Sequence, residues 1–323
     1  MVSVYGDIQA KDDYTHPLGP EQNFNESMYF NFFDQGRASG GFVRIGNRAN
    51  EGYAEVTLCL YLPAGEVLFN YLRPQISGND AMDAGGMRFE VLEPLVKHRT
   101  TFEGGAVFLT DPAQMADPSQ AFRLNPHKRV TVDLVHVAVG PVYGAVSAAQ
   151  PDEDAGQSFG RAHYEQHMRA TGTIDVDGET IAIDGTGLRD HSWGPRYWQA
   201  LHSYRWLTCA FGDDLGIMVS EITRKPGERT QSGVVVRGET LERIRAVDID
   251  SEFAPGTPYH RGMTATLELE SGEKLTLQGQ VKSFIPLRNR RAGMVTLIGE
   301  GMTEYRLGDR VAFGISEYLD QIQ

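Results

Sequence analysis

Short runs of hydrophobic and aromatic residues, separated by glycine, proline and aspartate, follow one another along the whole chain. The first runs are Met28–Phe33, Phe42–Ile45 and Ala54–Leu62, and the last of these alternates apolar with polar residues before a Pro-Ala-Gly turn. Runs of this length and composition are typical of antiparallel β-strands. No apolar pattern with a helical period is sustained, so the sequence predicts an all-β fold with very little helix.

The second half of the chain carries the clearest turn signals. Asp177-Gly178 and Ser271-Gly272 each separate two alternating runs, and such two-residue turns are strong hairpin signals. The segment Asp111–Pro126 is rich in proline, aspartate and serine and predicts a long loop with a helical turn. The only other stretch with helical character is Glu317–Ile322.

Residues 148–160 form an acidic stretch of small residues without periodicity, which predicts a linker. A chain of 323 residues also exceeds the size at which a single core usually keeps growing. We therefore expect an N-terminal arm over residues 1–20, a first β-domain over 21–147 and a second β-domain over 161–323.

Composition and charge exclude several classes of protein. The net charge is −13 and no basic stripe is present, so a nucleic-acid partner is not expected. No apolar stretch reaches membrane-spanning length, and the first thirty residues contain no secretory signal pattern. Cys59 and Cys209 lie in apolar runs, which is typical of free, buried thiols in a reducing cytoplasm, the expected location. No phosphate-binding loop, nucleophile elbow or Cys-x-x-Cys pair occurs, so no cofactor is expected.

The segment Gly185–Trp198 concentrates the reactive side chains. If it is a strand, Arg189, His191 and Trp193 share one face, and Asp190 lies on the other unless a bulge redirects it. Arg189 and Asp190 fit a buried ion-pair strut as well as a cavity wall. For His191 and Trp193 a cavity-lining role is favoured, because a histidine on a strand can transfer protons near neutral pH.

Several motifs in the chain resemble one known family. They are Tyr164-Glu165-Gln166-His167, Thr171-Gly172-Thr173 and Gly185-x-Gly-x-Arg-Asp-His-Ser-Trp-Gly, with supporting stretches at 25–30, 43–48 and 313–318. Together they resemble the double-lipocalin family related to carotenoid 1,2-hydratase (hydroxyneurosporene synthase), AttH-like proteins and fungal Diels–Alder cyclases.

The resemblance implies two tandem lipocalin-like β-barrels or sandwiches that hold an apolar ligand. By motif position, His191, Asp190 and Glu165 become the candidate catalytic residues, and Trp193 would stabilise a carbocation through its ring face. The hydratases also take a carboxylate from a neighbouring strand. The pattern around Asp213 and Glu221 departs from theirs, so hydration is one of several chemistries that stay open.

Further candidates come from the strand pattern itself. Arg189, Tyr204, Trp206, Glu26 and Tyr29 are candidates for substrate binding, although core or strand-edge roles explain the last four equally well. His163, Glu165 and His167 alternate on one strand face and have metal-ligand chemistry. Without identifiable supporting partners, a structural role is favoured there and no metal is expected.

Taken together, the sequence predicts a cofactor-independent enzyme that acts on a hydrophobic isoprenoid, polyketide or aromatic small molecule. Its expected chemistry is acid–base hydration, dehydration, cyclisation or isomerisation at an alkene. The alternatives are a pericyclase-like catalyst that only holds a substrate conformation, and a lipocalin-type carrier of a lipid or pigment without chemistry. The sequence does not specify the oligomeric state.

Overall fold

The protein is built almost entirely from antiparallel strands, which confirms the predicted fold class. The computed structural model describes residues 2–146, 162–196, 201–225, 227–291 and 293–322. The predicted linker, 148–160, lies outside the described residues.

Twelve strands form the first sheet. Their bounds are β1 Val4–Tyr5, β2 Phe24–Asp34, β3 Ser39–Arg48, β4 Tyr53–Tyr61, β5 Val67–Leu72, β6 Asp83–Ala84, β7 Met87–Glu93, β8 Lys97–Leu109, β9 His127–Ala138, β10 Val142–Val146, β11 Ala162–Val176 and β12 Glu179–Pro195.

Eight of these strands are hydrogen-bonded in a closed circuit. The order is β2, β3, β4, β5, β8, β9, β11 and β12, and β12 pairs again with β2. A circuit of this kind leaves no free edge within it and defines an inside and an outside. We call this circuit the first barrel.

The second barrel is a closed ring of eight consecutive strands. Their bounds are β13 Ser203–Ala210, β14 Leu215–Lys225, β15 Glu228–Arg237, β16 Thr240–Phe253, β17 His260–Leu269, β18 Lys274–Arg291, β19 Met294–Leu307 and β20 Arg310–Ile322. The predicted helical character of Glu317–Ile322 is wrong. These residues pair with β19, and those from Glu317 to Asp320 also pair with β13, because ring closure requires the last strand to run beside the first.

Local turn chemistry agrees with the predicted hairpins. Asp177 and Gly178 both have positive φ, 54° and 94°, as a tight turn between paired strands requires, and they join β11 to β12. The predicted loop at 111–126 contains a 3₁₀ turn, Pro112–Ala116, and the helix α1, Pro118–Leu124. Other 3₁₀ turns cover Ala10–Asp13, Gln35–Arg37 and Ala49–Glu51.

The expected division of the chain at the linker needs a correction. Strands β11 and β12 follow that linker in sequence, yet they complete the first barrel and do not belong to the second. The reason is that β11 pairs with β9 and β12 pairs with β2, so the first circuit cannot close without them. Among the described residues, the change from one barrel to the other lies between Pro195 and Ser203.

The two barrels pack against each other through the outer surface of each. One shared apolar cluster joins Tyr29 and Phe42 of the first barrel to Phe313 and Ile315 of the second. Both cysteines are free and buried, as predicted. Across the part of the chain that the structure describes, no helix has the length and apolar character needed to span a membrane.

Candidate functional site

Strand β12 carries the signature residues and presents two chemically different faces. Two glycines allow it to approach β2 closely: a Cβ atom at Gly185 or Gly187 would lie within 2.4 Å of a backbone oxygen of β2. At the next position, Leu188, the backbone amide donates a hydrogen bond to the side-chain oxygen of Asn31 in β2 at 2.7 Å. The predicted alternation is confirmed, and side chains at 189, 191 and 193 lie opposite to that at 190.

The inner face points into the first barrel and carries a buried ion-pair network. Arg189 donates to Asp13 at 2.5 Å, to Gln166 at 2.9 Å and to the Tyr164 hydroxyl at 3.2 Å. His98 contacts the other oxygen of Asp13 at 3.1 Å. Burial alone would raise the pKa of Asp13, but Arg189 and the hydrogen bonds from His98 and Tyr164 hold it well below its usual range. This part of the motif is an ion-pair strut, one of the two roles left open for Arg189.

His191 belongs to the same inner network. It is 1% exposed, and its Nε2 lies 2.9 Å from Glu26 Oε1 while its Nδ1 lies 3.1 Å from the Tyr164 hydroxyl. His16 Nδ1 lies 2.7 Å from the same oxygen of Glu26. The Trp193 ring stacks on the His16 ring, with 3.7 Å between the ring centroids. Burial raises the pKa of Glu26, but the hydrogen bonds from both histidines lower it to about 2. Glu26 is therefore a partnered carboxylate at neutral pH.

The opposite face of β12 points toward the second barrel, and we call it the interface face. Asp190 is hydrogen-bonded there to His163, and His163 Nε2 lies 3.8 Å from Glu165 Oε1. The Trp206 indole, from the second barrel, donates to the same Glu165 oxygen at 2.9 Å. Glu165 Oε2 is buried and has no hydrogen-bond partner among the described residues. Glu165 thus has one oxygen that is hydrogen-bonded to Trp206 and a second that could contact a ligand.

Burial and neighbouring charges alter the acidity of this group. Burial, only partly offset by His163, raises the pKa of Glu165 to about 7. The carboxylates of Asp190 and Glu165 raise the pKa of His163 to about 9, although burial opposes them. The His163 side chain is half exposed, so it connects the buried carboxyl to solvent. Shifted pKa values of this kind cluster at functional sites, so Glu165 is a candidate for proton transfer.

The second barrel contributes two more acidic groups that the sequence analysis missed. Burial raises the pKa of Glu300 to about 8, and its Oε2 has no hydrogen-bond partner in the described structure. Burial likewise raises the pKa of Glu317 to about 8. Both carboxyls contribute to raising the pKa of the buried Tyr29 hydroxyl, which places them near it. A charged residue inside an apolar run, as at Glu300, is the one signal that would have identified this group.

The predicted site residues therefore fall into two sets. Asp190, Glu165, Trp206 and Tyr29 meet at the interface face, where Tyr29 lies edge-on to Trp206 at 5.5 Å. Tyr204 precedes Trp206 by two residues on the same strand and is half buried. The remaining candidates lie on the inner face: Arg189, His191, Trp193 and Glu26. One site containing all of them is ruled out, because the sheet separates the two faces.

Two other carboxylates considered from the sequence are held in ion pairs, Asp213 at the surface and Glu221 in a largely buried position. Asp213 is bound by Arg169 at 3.0 Å, and Glu221 is paired with Arg229. Both are therefore engaged away from the interface group.

Two clusters in the described residues have metal-ligand geometry. One is His163, Glu165 and Asp190, and the other is His16, Glu26 and His191, with ligand atoms within 4.8 Å of one another in each. His167, the third member of the sequence pattern, is in neither. It packs against Gly216 of the second barrel, and burial lowers its pKa to about 4.

Three solved structures are similar to this fold over most of their length. An AttH protein of Nitrosomonas europaea is 15% identical with a TM-score of 0.63, covering 95% of this chain and 98% of its own. Kievitone hydratase of Nectria haematococca is 13% identical with a TM-score of 0.56, covering 99% and 97%. CghA with bound Sch210972 is 12% identical with a TM-score of 0.55, covering 92% and 88%. These likenesses confirm the resemblance in fold that the motifs predicted.

Sequence comparison gives a narrower result. No curated protein matches the chain significantly. A family model described as a domain of unknown function, DUF7064, matches residues 9–322. Because this match spans almost the whole chain, the protein belongs to the DUF7064 family.

Proposed function

We propose that the protein is an enzyme that performs acid–base chemistry on an alkene of a hydrophobic small molecule, with Glu165 as the proton-transferring group. One observation carries the proposal. Glu165 is a buried carboxyl with one oxygen held by Trp206, the other oxygen without a described partner, and a half-exposed histidine beside it.

The acidity of Glu165 suits both halves of a proton-transfer cycle. With a pKa of about 7, the protonated and the ionised forms are both populated near neutral pH. His163 lies next to it and reaches solvent, so a proton lost to the substrate is replaced through this imidazole. Asp190 is hydrogen-bonded to His163 and fixes the orientation of its ring.

The proposed reaction needs only the alkene, water and the proton of Glu165. Glu165 gives its proton to one alkene carbon, and the π electrons form the new C–H bond. The neighbouring carbon becomes cationic, and the aromatic rings of Trp206 and Tyr29, which lie edge-on to each other at 5.5 Å, would stabilise it. Water then adds through its oxygen, and its surplus proton returns to the Glu165 carboxylate. Loss of a proton in place of water addition would give isomerisation. Attack on the cationic carbon by the π electrons of a second double bond in the substrate, followed by loss of a proton to the Glu165 carboxylate, would give cyclisation.

The comparisons support a small-molecule role by analogy. Kievitone hydratase is named for a hydration, and CghA was crystallised with the small molecule Sch210972. At these identities the fold is what is shared, so the substrate of this chain is proposed only as a class: a hydrophobic alkene.

The test is a hydration screen with a matched pair of variants. Purified protein is incubated with isoprenoid and phenolic alkenes in isotopically labelled water, and products are analysed by mass spectrometry for incorporation of one labelled oxygen. Glu165→Gln keeps the size of the side chain but cannot transfer a proton. We expect it to lower turnover by about a hundredfold or more, the usual contribution of a positioned acid or base.

Two controls separate this proposal from its alternatives. Glu304→Gln changes a surface carboxylate paired with Arg306 and should leave turnover unchanged. A pericyclase-like catalyst would keep its full rate in Glu165→Gln at every pH. A carrier would bind the alkenes, measured by quenching of tryptophan fluorescence, without forming product. Either result would reject acid–base catalysis by Glu165.

A further inference from the structure

We infer that His16, Glu26 and His191 form a binding site for one divalent transition-metal ion of the zinc class. The site lies on the inner face, separate from the proposed catalytic group. It draws its ligands from three segments: the N-terminal arm, β2 and β12. The inference is independent of the proposed function.

The ligand atoms converge on one point. His16 Nδ1 and His191 Nε2 lie 2.7 Å and 2.9 Å from the same oxygen of Glu26. Two imidazole nitrogens and one carboxylate oxygen are a ligand set that zinc and other first-row divalent ions take in proteins. An ion at the centre would replace the protons that these nitrogens otherwise donate to Glu26.

Supporting partners surround every ligand. The second nitrogen of His191 contacts the Tyr164 hydroxyl at 3.1 Å, and the second nitrogen of His16 faces Asp12 at 3.5 Å. Glu26 Oε2 accepts from the His16 amide at 2.8 Å and from Asn79. Such contacts fix the tautomer and the orientation of metal-binding side chains.

Charge in the buried region favours a cation. Asp12, Asp13 and Glu26 are three buried carboxylates, and Arg189 is the one buried guanidinium bound to them among the described residues. Buried charges are costly unless they are compensated. Three carboxylates and one guanidinium leave two negative charges uncompensated, and a divalent ion would balance them.

An ion can reach the site from the arm side. The His16 side chain is 18% exposed, whereas Glu26 and His191 are almost fully buried. A cavity of about 350 Å³ lies beside the arm and is lined by residues that include Asp13, Thr15, Met28 and His98. Metal binding would therefore attach the arm to the first barrel.

The test uses cobalt as a spectroscopic probe. Full-length protein is treated with a chelator, dialysed and titrated with Co²⁺, and visible absorption reports imidazole and carboxylate coordination. We expect one ion per chain, displaced by Zn²⁺, and a rise in melting temperature on binding. His16→Gln should weaken binding by more than about a hundredfold. Asp12→Asn, which removes only a supporting contact, should weaken it by about ten- to a hundredfold.

The second cluster provides the matched control. His163→Gln removes a histidine from the group on the interface face and should leave Co²⁺ binding unchanged. Circular dichroism verifies the fold of each variant, and His16→Gln decides the question because His16 lies on the arm outside the barrel strands. Absence of a cobalt spectrum, binding that survives His16→Gln, or binding lost in His163→Gln would each overturn the inference. If no cobalt spectrum appears, hydrogen bonds alone hold His16, Glu26 and His191 together.

Discussion

The two faces of β12 place similar side chains in opposite chemical situations. On the inner face, Asp13 and Glu26 each accept several hydrogen bonds, and their pKa values are lowered despite burial. On the interface face, Glu165 has an oxygen without a described partner, as does Glu300 of the second barrel, and their pKa values are raised to about 7 and about 8. Burial is common to all four carboxyls, so the number of partners makes the difference.

Under the proposed function, this difference separates structural carboxylates from a proton-transferring one. A carboxylate that is paired and hydrogen-bonded stays ionised and holds its neighbours in place. A buried carboxyl with few partners keeps its proton to higher pH and can give it to a substrate. The comparison therefore favours Glu165 over His191 as the proton-transfer residue, although His191 lies at the centre of the sequence motif.

The largest expected effect comes from breaking the inner network. Asp13→Ala removes the carboxylate that pairs with Arg189 and leaves that guanidinium buried without its counter-ion. Loss of one partner of a buried ion pair typically costs about 3–5 kcal/mol. We expect a loss of this size in the free energy of unfolding, measured by urea denaturation.

Asp190→Asn is the matched change on the interface face. Its partner His163 is half exposed and can be solvated after the substitution, so the loss of stability should be much smaller. Equal losses in Asp13→Ala and Asp190→Asn would mean that both faces are structural.

The second prediction uses the dependence of stability on pH, which should have opposite signs on the two faces. The pKa of Glu300 is raised from 4.5 to about 8, so the folded state holds a proton that the unfolded state has released. Stability should therefore fall as pH rises from about 4.5 to 8. The pKa of Glu26 is lowered from 4.5 to about 2, so its contribution is present above 4.5 and lost as pH falls toward 2.

Two single substitutions test the acid side and the alkaline side of this pH dependence separately. Glu300→Gln should flatten the decline on the alkaline side and make the variant more stable than the parent at pH 8, by an amount on the order of a few kcal/mol. Glu26→Gln should reduce the acid-side loss and leave the alkaline side unchanged. Melting temperatures measured across this pH range test both, and a Glu300→Gln profile parallel to that of the parent would contradict the assignment.

Local features of the structure could be predicted from sequence because they depend on neighbours in the chain. Alternation placed Arg189 and Asp190 on opposite faces, and Asp177-Gly178 specified its hairpin. Pairing between distant strands could not be predicted, because nothing in the local pattern of β12 specifies β2 as its partner, more than 150 residues earlier in the chain. For this reason β11 and β12 were assigned to the wrong barrel.

The surroundings of the candidate site residues could not be predicted for the same reason. Asp12 and Asp13 read as part of a polar arm, yet they are buried because the arm packs beside the first barrel. Glu300 reads as one charge in an apolar strand, and its importance depends on the opposing barrel. His191 was favoured as catalytic because it lies in the motif, while its partners Glu26 and His16 come from elsewhere in the chain.

The smallest expected effect concerns the hydrogen bond between the two barrels. The Trp206 indole donates to Glu165 at 2.9 Å and favours the ionised carboxylate, so its loss in Trp206→Phe should raise the pKa of Glu165 further. If the protonated form is the active one, the rate falls as pH rises past this pKa, and that limb of the pH–rate profile should move to higher pH. Any loss of packing would lower the rate equally at all pH values and would not move the limb. Trp193→Phe is the matched control, because Trp193 stacks on His16 at the inner face and makes no described contact with Glu165. A limb that stays in place in Trp206→Phe, or that moves equally in both variants, would show that Glu165 does not set the pH dependence.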